Sequence, residues 1–237
     1  MSNNLYITMP AYNEAANIEE TIKQWYPIVE KISSDSRLVI VNDGSKDNTY
    51  EIMERLKDKY SQFIPITKKN SGHGSTLLFA YDYCINADAD YIFQTDSDGQ
   101  TNPDEFWQFW EKRKEYDFLI GCRKQRQDGF SRVIVTKTLK ILVWLIFGEV
   151  VKDPNTPFRL MNTEKLKSIL KIIPKDFFLS NVIISMLVVK KKEKYLWLPI
   201  SFKNRQGGVN SINLRNIINI GFKAIADFYK VKQKTNK

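Results

Sequence analysis

Apolar residues in the first half of the chain form short runs that alternate with stretches of helical periodicity. Short, mostly apolar runs predict strands, and apolar residues that recur every three or four positions predict helices. The predicted strands are 5–9, 38–41, 63–66, 91–95 and 118–122. The predicted helices cover 18–32, 52–60, 75–87 and 106–110. This alternation predicts an α/β fold with a mostly parallel central sheet flanked by helices, whose ligands bind beyond the carboxyl ends of the strands.

The second half of the chain does not continue this alternation. A basic loop with a glycine, 123–132, leads into an apolar segment at 133–151. The longest apolar run in that segment, 141–147, is too short to span a bilayer, which needs roughly 20 apolar residues. We expect further helices, a strand at 195–198, and an amphipathic helix at 214–229 that ends in a lysine-rich tail.

Two aspartates, Asp96 and Asp98, follow the apolar strand at 91–95. In an extended or turning backbone, residues two positions apart point the same way, so both carboxylates can bind one divalent cation while Ser97 points elsewhere. Gly99 then allows a sharp turn. A hard cation held by one or two carboxylates usually completes its shell with water and nucleotide phosphates, which predicts a metal-assisted diphosphate site. The alternative is an ordinary turn rich in Asp, Ser and Gly.

Composition narrows the class of protein. With 237 residues, 43% of them apolar, the chain is long enough for one large domain or two small ones with a real core. The net charge of +9 indicates an anionic partner, which could be nucleic acid, an anionic membrane surface or a phosphorylated substrate. The two cysteines lie far apart and the chain has one histidine, so neither a zinc site nor a disulfide framework is expected. The N-terminus lacks the pattern of a signal peptide, and we expect the protein to stay in the cytosol.

Three polar segments, at 10–14, 43–49 and 96–98, follow predicted strands and read P-A-Y-N-E, D-G-S-K-D-N-T and D-S-D. In this order they resemble the motifs of the family 2 glycosyltransferases, which have the GT-A fold. Within that family the chain is most similar to the polyprenol-phosphate sugar transferases, because Gln100 follows the aspartate pair and arginines come later. The resemblance covers about residues 5–210.

The resemblance implies a site for a nucleotide-sugar donor, which would be a UDP-, GDP- or dTDP-sugar. The residues implied for the donor pocket are Pro10, Tyr12, Glu14, Asp43, Gly72 and His73. In the family, a lysine often stands at the position of His73. The residues implied to hold Mg²⁺ or Mn²⁺ against the diphosphate are Asp96, Asp98 and Gln100.

The resemblance also implies that arginines bind a phosphate on the acceptor. Arg123 and Arg132 look like the family arginines that engage this phosphate. Arg205 and Arg159 lie in segments similar to family motifs near the diphosphate. Of these two, Arg205 is implied to contact the donor. A lipid phosphate needs no general base because its oxygen is already ionised near neutral pH. A hydroxyl acceptor would need one, and Asp153 is the candidate by family position. The residues implied to be catalytic are Asp98, Asp153, Arg123 and Arg132.

These implications give a leading hypothesis and an alternative. The leading hypothesis is a metal-dependent, inverting glycosyltransferase that acts on a polyprenyl phosphate at the cytosolic membrane surface, with a membrane-anchoring subunit left open. The alternative is transfer to a hydroxyl of a polysaccharide or lipid-linked sugar. No compact basic-aromatic motif supports nucleic-acid binding. The expected units are 1–210, with a nucleotide-binding half 1–122 and an acceptor-binding half 123–210, and a C-terminal helical membrane-interface region with a basic tail at 211–237.

Overall fold

A computed structural model describes residues 3–123, 130–203, 225 and 227–233, with the backbone only for 130–137. Seven strands form one sheet in the order β3-β2-β1-β4-β6-β5-β7. The strands are β1 (Leu5–Ala11), β2 (Arg37–Asn42), β3 (Phe63–Thr67), β4 (Tyr91–Gln94), β5 (Phe118–Arg123), β6 (Arg159–Asn162) and β7 (Tyr195–Ile200). The helices are α1 (Ile18–Ile32), α2 (Thr49–Lys57), α3 (His73–Asn86), α4 (Phe106–Lys112), α5 (Phe130–Phe147), α6 (Thr163–Leu170) and α7 (Ser180–Lys190).

One strand, β6, runs antiparallel to both of its neighbours, β4 and β5, while the other pairs in the sheet are parallel. Strand β6 was not predicted from the sequence. Only Leu160 and Met161 are apolar in this short strand, and it begins with a buried arginine. Too few positions were available for a strand pattern to be seen.

Both faces of the sheet are covered by helices. On one face Leu77 of α3, Val143 of α5 and Leu187 of α7 belong to one apolar cluster. On the other face Trp25 of α1 and Phe106 of α4 belong to a second cluster. A parallel sheet buried on both faces needs strands that are continuously apolar, which is why the strands of the first half could be predicted as short apolar runs.

An aromatic group stabilises the face covered by α1 and α4. The rings of Trp25 and Phe93 lie 5.5 Å apart between centroids, and Phe93 meets Phe158 edge to face at 4.7 Å. Phe158 comes directly before β6, so this group joins the predicted part of the sheet to the strand that the sequence did not predict. Buried aromatic pairs of this kind add about 0.5–1.5 kcal/mol beyond their area.

Helix α5 presents apolar side chains both to the core and to solvent. Val143 and Phe147 are buried, whereas Ile141, Trp144 and Leu145 are 55%, 55% and 63% exposed. Within the described part of the chain, no helix combines the length and the apolar character that crossing a bilayer requires.

Candidate active site

The polar loops that follow β1, β2 and β4 meet at one edge of the sheet. Parallel pairing sets Ala11 at the end of β1 beside Asn42 at the end of β2. The backbone N–H of Asn13 donates to the Ser45 hydroxyl at 2.9 Å, which joins the first two loops. The Ser97 hydroxyl donates to the Pro10 carbonyl at 2.8 Å, which joins the third loop to the first. The three segments singled out in the sequence therefore form one surface.

The loop after β4 turns Ser97 inward. Its side chain is bonded to Pro10, and its carbonyl accepts a hydrogen bond from the Thr21 hydroxyl of α1 at 3.1 Å. The flanking residues Asp96 and Asp98 stay partly exposed, as the alternation of side chains predicted. Gly99 has φ +71°, the left-handed conformation that a glycine adopts readily.

The aspartate pair suits a hard cation that also binds a ligand. Carboxylate oxygens are the donors that Mg²⁺ and Mn²⁺ prefer, and two of them leave room for water and phosphate oxygens. Among the described residues, no group of three or more His, Cys, Asp or Glu side chains could hold a metal ion. Two carboxylates are a donor set that suits a cation shared with a phosphate ligand.

His73, the first residue of α3, faces the aspartate pair. Its Nε2 lies 3.4 Å from Asp96 Oδ1, and half of the side chain is exposed. Partial burial of the ring acts to lower the pKa of His73, but the hydrogen bond to Asp96 and the charges of Asp96, Asp98 and Asp43 outweigh it and raise the pKa. The acidic side chains around the ring thus favour its protonated form.

Asp43 is buried and fixes the loop that leads into α3. Its Oδ1 accepts from Lys68 Nζ at 2.5 Å and from the Ser71 N–H at 2.9 Å, and its Oδ2 accepts from the Gly72 N–H at 2.9 Å. Burial acts to raise the pKa of Asp43, yet the hydrogen bonds from Lys68 and Ser71 hold it below its usual value. Lys68 was not among the residues predicted from the sequence, although it is the polar residue that directly follows β3 at the same edge.

The other residues implied for the donor pocket are exposed to different extents. Tyr12 is 40% exposed at the surface of the site, whereas Pro10 is buried. Glu14 is 6% exposed, and its carboxylate accepts from Asn17 Nδ2 at 2.9 Å. The Gln100 side-chain amide donates to the Lys203 carbonyl at 2.8 Å, so this residue ties the acidic loop to the chain after β7.

Arg123, at the end of β5, is paired with Asp153. Its Nε donates to Asp153 Oδ2 at 2.8 Å and its Nη2 donates to Oδ1 at 2.7 Å. The two side chains are only 7% and 8% exposed. The structure thus brings together two residues to which the resemblance gave separate roles, one as a phosphate ligand and one as a base.

Arg159 has no exposed surface. It donates to the carbonyls of Thr156 at 2.6 Å and Asn181 at 3.3 Å, and its burial lowers the pKa of the guanidinium. Its implied place near the diphosphate stays a prediction. Of the other two implied arginines, Arg205 lies outside the described residues, and for Arg132 only the backbone of α5 is described.

Comparison with known families gives one match that covers most of the chain. The model of Glycosyl transferase family 2 matches residues 6–174. Two curated relatives are undecaprenyl-phosphate 4-deoxy-4-formamido-L-arabinose transferases. The one from Edwardsiella ictaluri is 21% identical over 217 residues, covering 90% of this chain and 64% of the relative. The one from Pectobacterium atrosepticum is 22% identical over 220 residues, covering 92% and 65%. The chain thus spans slightly less than two thirds of the length of these relatives.

Comparison with solved structures confirms the fold. Glucosyl-3-phosphoglycerate synthase from Mycobacterium tuberculosis, solved with Mn²⁺, UDP-glucose and phosphoglyceric acid, superposes with a TM-score of 0.72 at 16% identity, covering 98% of this chain and 80% of that one. Mannosyl-3-phosphoglycerate synthase from Rubrobacter xylanophilus gives a TM-score of 0.71 at 16% identity, covering 99% and 76%. The predicted α/β architecture of a glycosyltransferase is therefore correct.

Proposed function

The chain belongs to Glycosyl transferase family 2, and on that premise we propose that it transfers a sugar from a nucleoside-diphosphate donor to a polyprenyl phosphate at the cytosolic surface of a membrane. The observation that carries the proposal is the meeting of three polar strand ends around Asp96 and Asp98. The curated relatives, which are named as transferases to undecaprenyl phosphate, support the acceptor class.

The donor half of the proposal rests on the acidic loop after β4. Asp96 and Asp98 would hold Mg²⁺ or Mn²⁺, and related folds solved with Mn²⁺ and UDP support this choice. A bound cation would neutralise the charge that builds on the leaving nucleoside diphosphate. His73 lies against Asp96 on the same side, and Tyr12, which is 40% exposed, offers a ring for the nucleoside. Asp43 would contribute by holding the Ser71 and Gly72 amides in place.

The acceptor half of the proposal rests on Arg123. A guanidinium binds phosphate through parallel N–H groups, and Arg123 stands at the carboxyl end of β5 at the same edge of the sheet as the acidic loop. In the sheet order only β6 stands between β4, which the acidic loop follows, and β5, which ends at Arg123. The acceptor phosphate would therefore be bound close to the donor.

The membrane location in the proposal rests on α5. Ile141, Trp144 and Leu145 follow each other at helical spacing and are all more than half exposed. Exposed Lys140 and Lys152 flank them, which suits an anionic lipid surface. A membrane-anchoring subunit remains part of the proposal. The division at residue 210 also remains part of it, because residues 204–224 lie outside the described part of the chain.

A donor screen tests this function. The purified protein is incubated with UDP-, GDP- or dTDP-sugars and Mg²⁺ or Mn²⁺, with and without undecaprenyl phosphate, and release of nucleoside diphosphate is measured. The proposal predicts metal-dependent release from one donor class that rises at least about tenfold with undecaprenyl phosphate, and a radiolabelled lipid product. Transfer that occurs only to a sugar hydroxyl would support the alternative acceptor class and contradict the proposal.

A further inference from the structure

The ion pair of Arg123 and Asp153 fixes the guanidinium in one orientation. Asp153 accepts from both Nε and Nη2, and it also accepts from the Arg123 backbone N–H at 3.3 Å. The ring of Phe202 covers the guanidinium at 5.1 Å from its centroid. One edge is therefore bonded to a carboxylate and one face lies on an aromatic ring, so the group has little freedom to rotate.

The edge of Arg123 that Asp153 leaves open is the edge that can bind a phosphate. A guanidinium has five N–H groups, and the carboxylate uses one on Nε and one on Nη2, which leaves three of the five. Two of the remaining groups, one on Nη1 and one on Nη2, point in parallel from the tip. This is the fork that captures two oxygens of a phosphate. Within the described residues, Nη1 makes no hydrogen bond.

We propose that Asp153 is a positioning residue that holds Arg123 by its Nε/Nη2 edge, so that the Nη1/Nη2 tip receives the phosphate of the acceptor. This inference rests on the proposed function, because it needs an acceptor that carries a phosphate. It assigns to Asp153 a role different from that of the general base that a hydroxyl acceptor would require.

The environment of Asp153 does not suit a general base. A base must hold a proton during the reaction, and protonation of this carboxylate would leave the guanidinium of Arg123 buried without a counter-charge. Breaking a buried pair in that way is strongly destabilising, because it leaves a buried charge without compensation. The two oxygens already accept three hydrogen bonds from Arg123 alone. A phosphate acceptor removes the need for a base, because its oxygen is ionised near neutral pH.

The inference is tested by steady-state kinetics of D153N, R123A and the double variant, with undecaprenyl phosphate as acceptor. D153N should raise the KM for undecaprenyl phosphate about tenfold, since about one charge-assisted hydrogen bond to the phosphate is misdirected. Its kcat should stay within about threefold of wild type, and the KM for the donor should not change. The loss in the double variant should be clearly smaller than the sum of the two single losses, because Asp153 and Arg123 form one hydrogen-bonded pair.

A general base would give a different pattern. The kcat of D153N would then fall by about 10² or more at unchanged KM for the acceptor, the loss would add to that of R123A, and the basic limb of the pH profile of kcat would change. Any of these results overturns the inference. Asp117, at the opposite end of β5, provides the matched control: it lies 3.7 Å from Lys165 in a more exposed pair, and D117N should leave both constants unchanged.

Two further measurements keep the test decisive. If D153N does not fold, D153E is used: its longer side chain displaces the guanidinium and should raise the KM for undecaprenyl phosphate at unchanged kcat, whereas a displaced base would lower kcat. Binding of undecaprenyl phosphate to the wild type, followed by tryptophan fluorescence in detergent, tests the acceptor class without turnover. Failure of the wild type to bind it would refute the proposed function, whereas binding by the wild type with a kcat loss in D153N would refute the inference alone.

Discussion

The burial of Asp43 predicts a large and pH-dependent loss of stability in D43N. The carboxylate accepts three hydrogen bonds, from Lys68 Nζ and from the Ser71 and Gly72 backbone N–H groups, and its side chain is only 4% exposed. A hydrogen bond to a charged group is worth about 1.5–3 kcal/mol. Asparagine keeps one acceptor oxygen, so at least one bond is lost and the remaining bonds no longer involve a charged acceptor, and the free energy of unfolding should fall by about 3 kcal/mol at pH 7.

The sign of the pH dependence follows from the lowered pKa of Asp43. A carboxyl whose pKa is lower in the folded than in the unfolded protein stabilises the fold above the unfolded pKa, which is about 3.9. That contribution is lost as the pH falls through the folded value. The difference between wild type and D43N should therefore be full at pH 7 and pH 5 and should shrink as the pH falls below about 4.

Urea denaturation at pH 7, 5, 4 and 3.5 measures this difference. In a thermal melt, about 3 kcal/mol corresponds to a decrease in Tm of roughly 6–12 °C for a chain of this size. Asp82 provides the control, because its side chain is 45% exposed and lies 3.4 Å from the highly exposed Lys175, so D82N should cost less than about 0.5 kcal/mol. A D43N protein within about 0.5 kcal/mol of wild type at pH 7, or an equal difference at every pH, would refute the reasoning.

Two further predictions concern packing and the membrane surface. In G74A the new Cβ would lie 2.1 Å from the Phe178 carbonyl oxygen, so urea denaturation should show a free energy of unfolding lower by about 3 kcal/mol. In G72A the new Cβ meets open space but the residue has φ +88°, so the free energy of unfolding should fall by only about 1–2 kcal/mol. A larger loss in G72A than in G74A would contradict the packing argument. In W144E the exposed indole is lost from α5, and co-sedimentation with anionic vesicles should fall at least about tenfold. K57Q, with the same change of charge on exposed Lys57 of α2, should bind like wild type, and equal losses in both variants would point to charge alone.

The sequence predicted the parts of the fold that depend on local pattern. The parallel strands were visible because they are apolar on both faces, and the inward turn of Ser97 followed from the alternation of side chains. Strand β6 was missed because an antiparallel strand of four residues beginning with Arg159 carries no such pattern. Its burial is fixed by strands and helices distant in sequence.

The sequence predicted the location of the site better than the roles of its residues. Three motifs at strand ends are enough to place a site at one edge of a parallel sheet. The pairing of Arg123 with Asp153, which are 30 residues apart, depends on how β5 and the following turn are arranged in space. The same holds for the bond of Lys68 to Asp43, although its position after β3 gave a signal that could have been used. The roles of these side chains as ligands stay predictions.

The central claim is that Asp96 and Asp98 bind a cation together with a diphosphate. Isothermal titration of Mn²⁺ into the protein with and without UDP tests it most directly, with D104N as a control because Asp104 is a nearby carboxylate in the short 3₁₀ turn at Pro103–Glu105. We expect Mn²⁺ to bind the wild type and D104N at least about tenfold more tightly in the presence of UDP, and the D96A/D98A variant to lose this gain. Equal binding of Mn²⁺ and UDP by D96A/D98A and by the wild type would contradict the account.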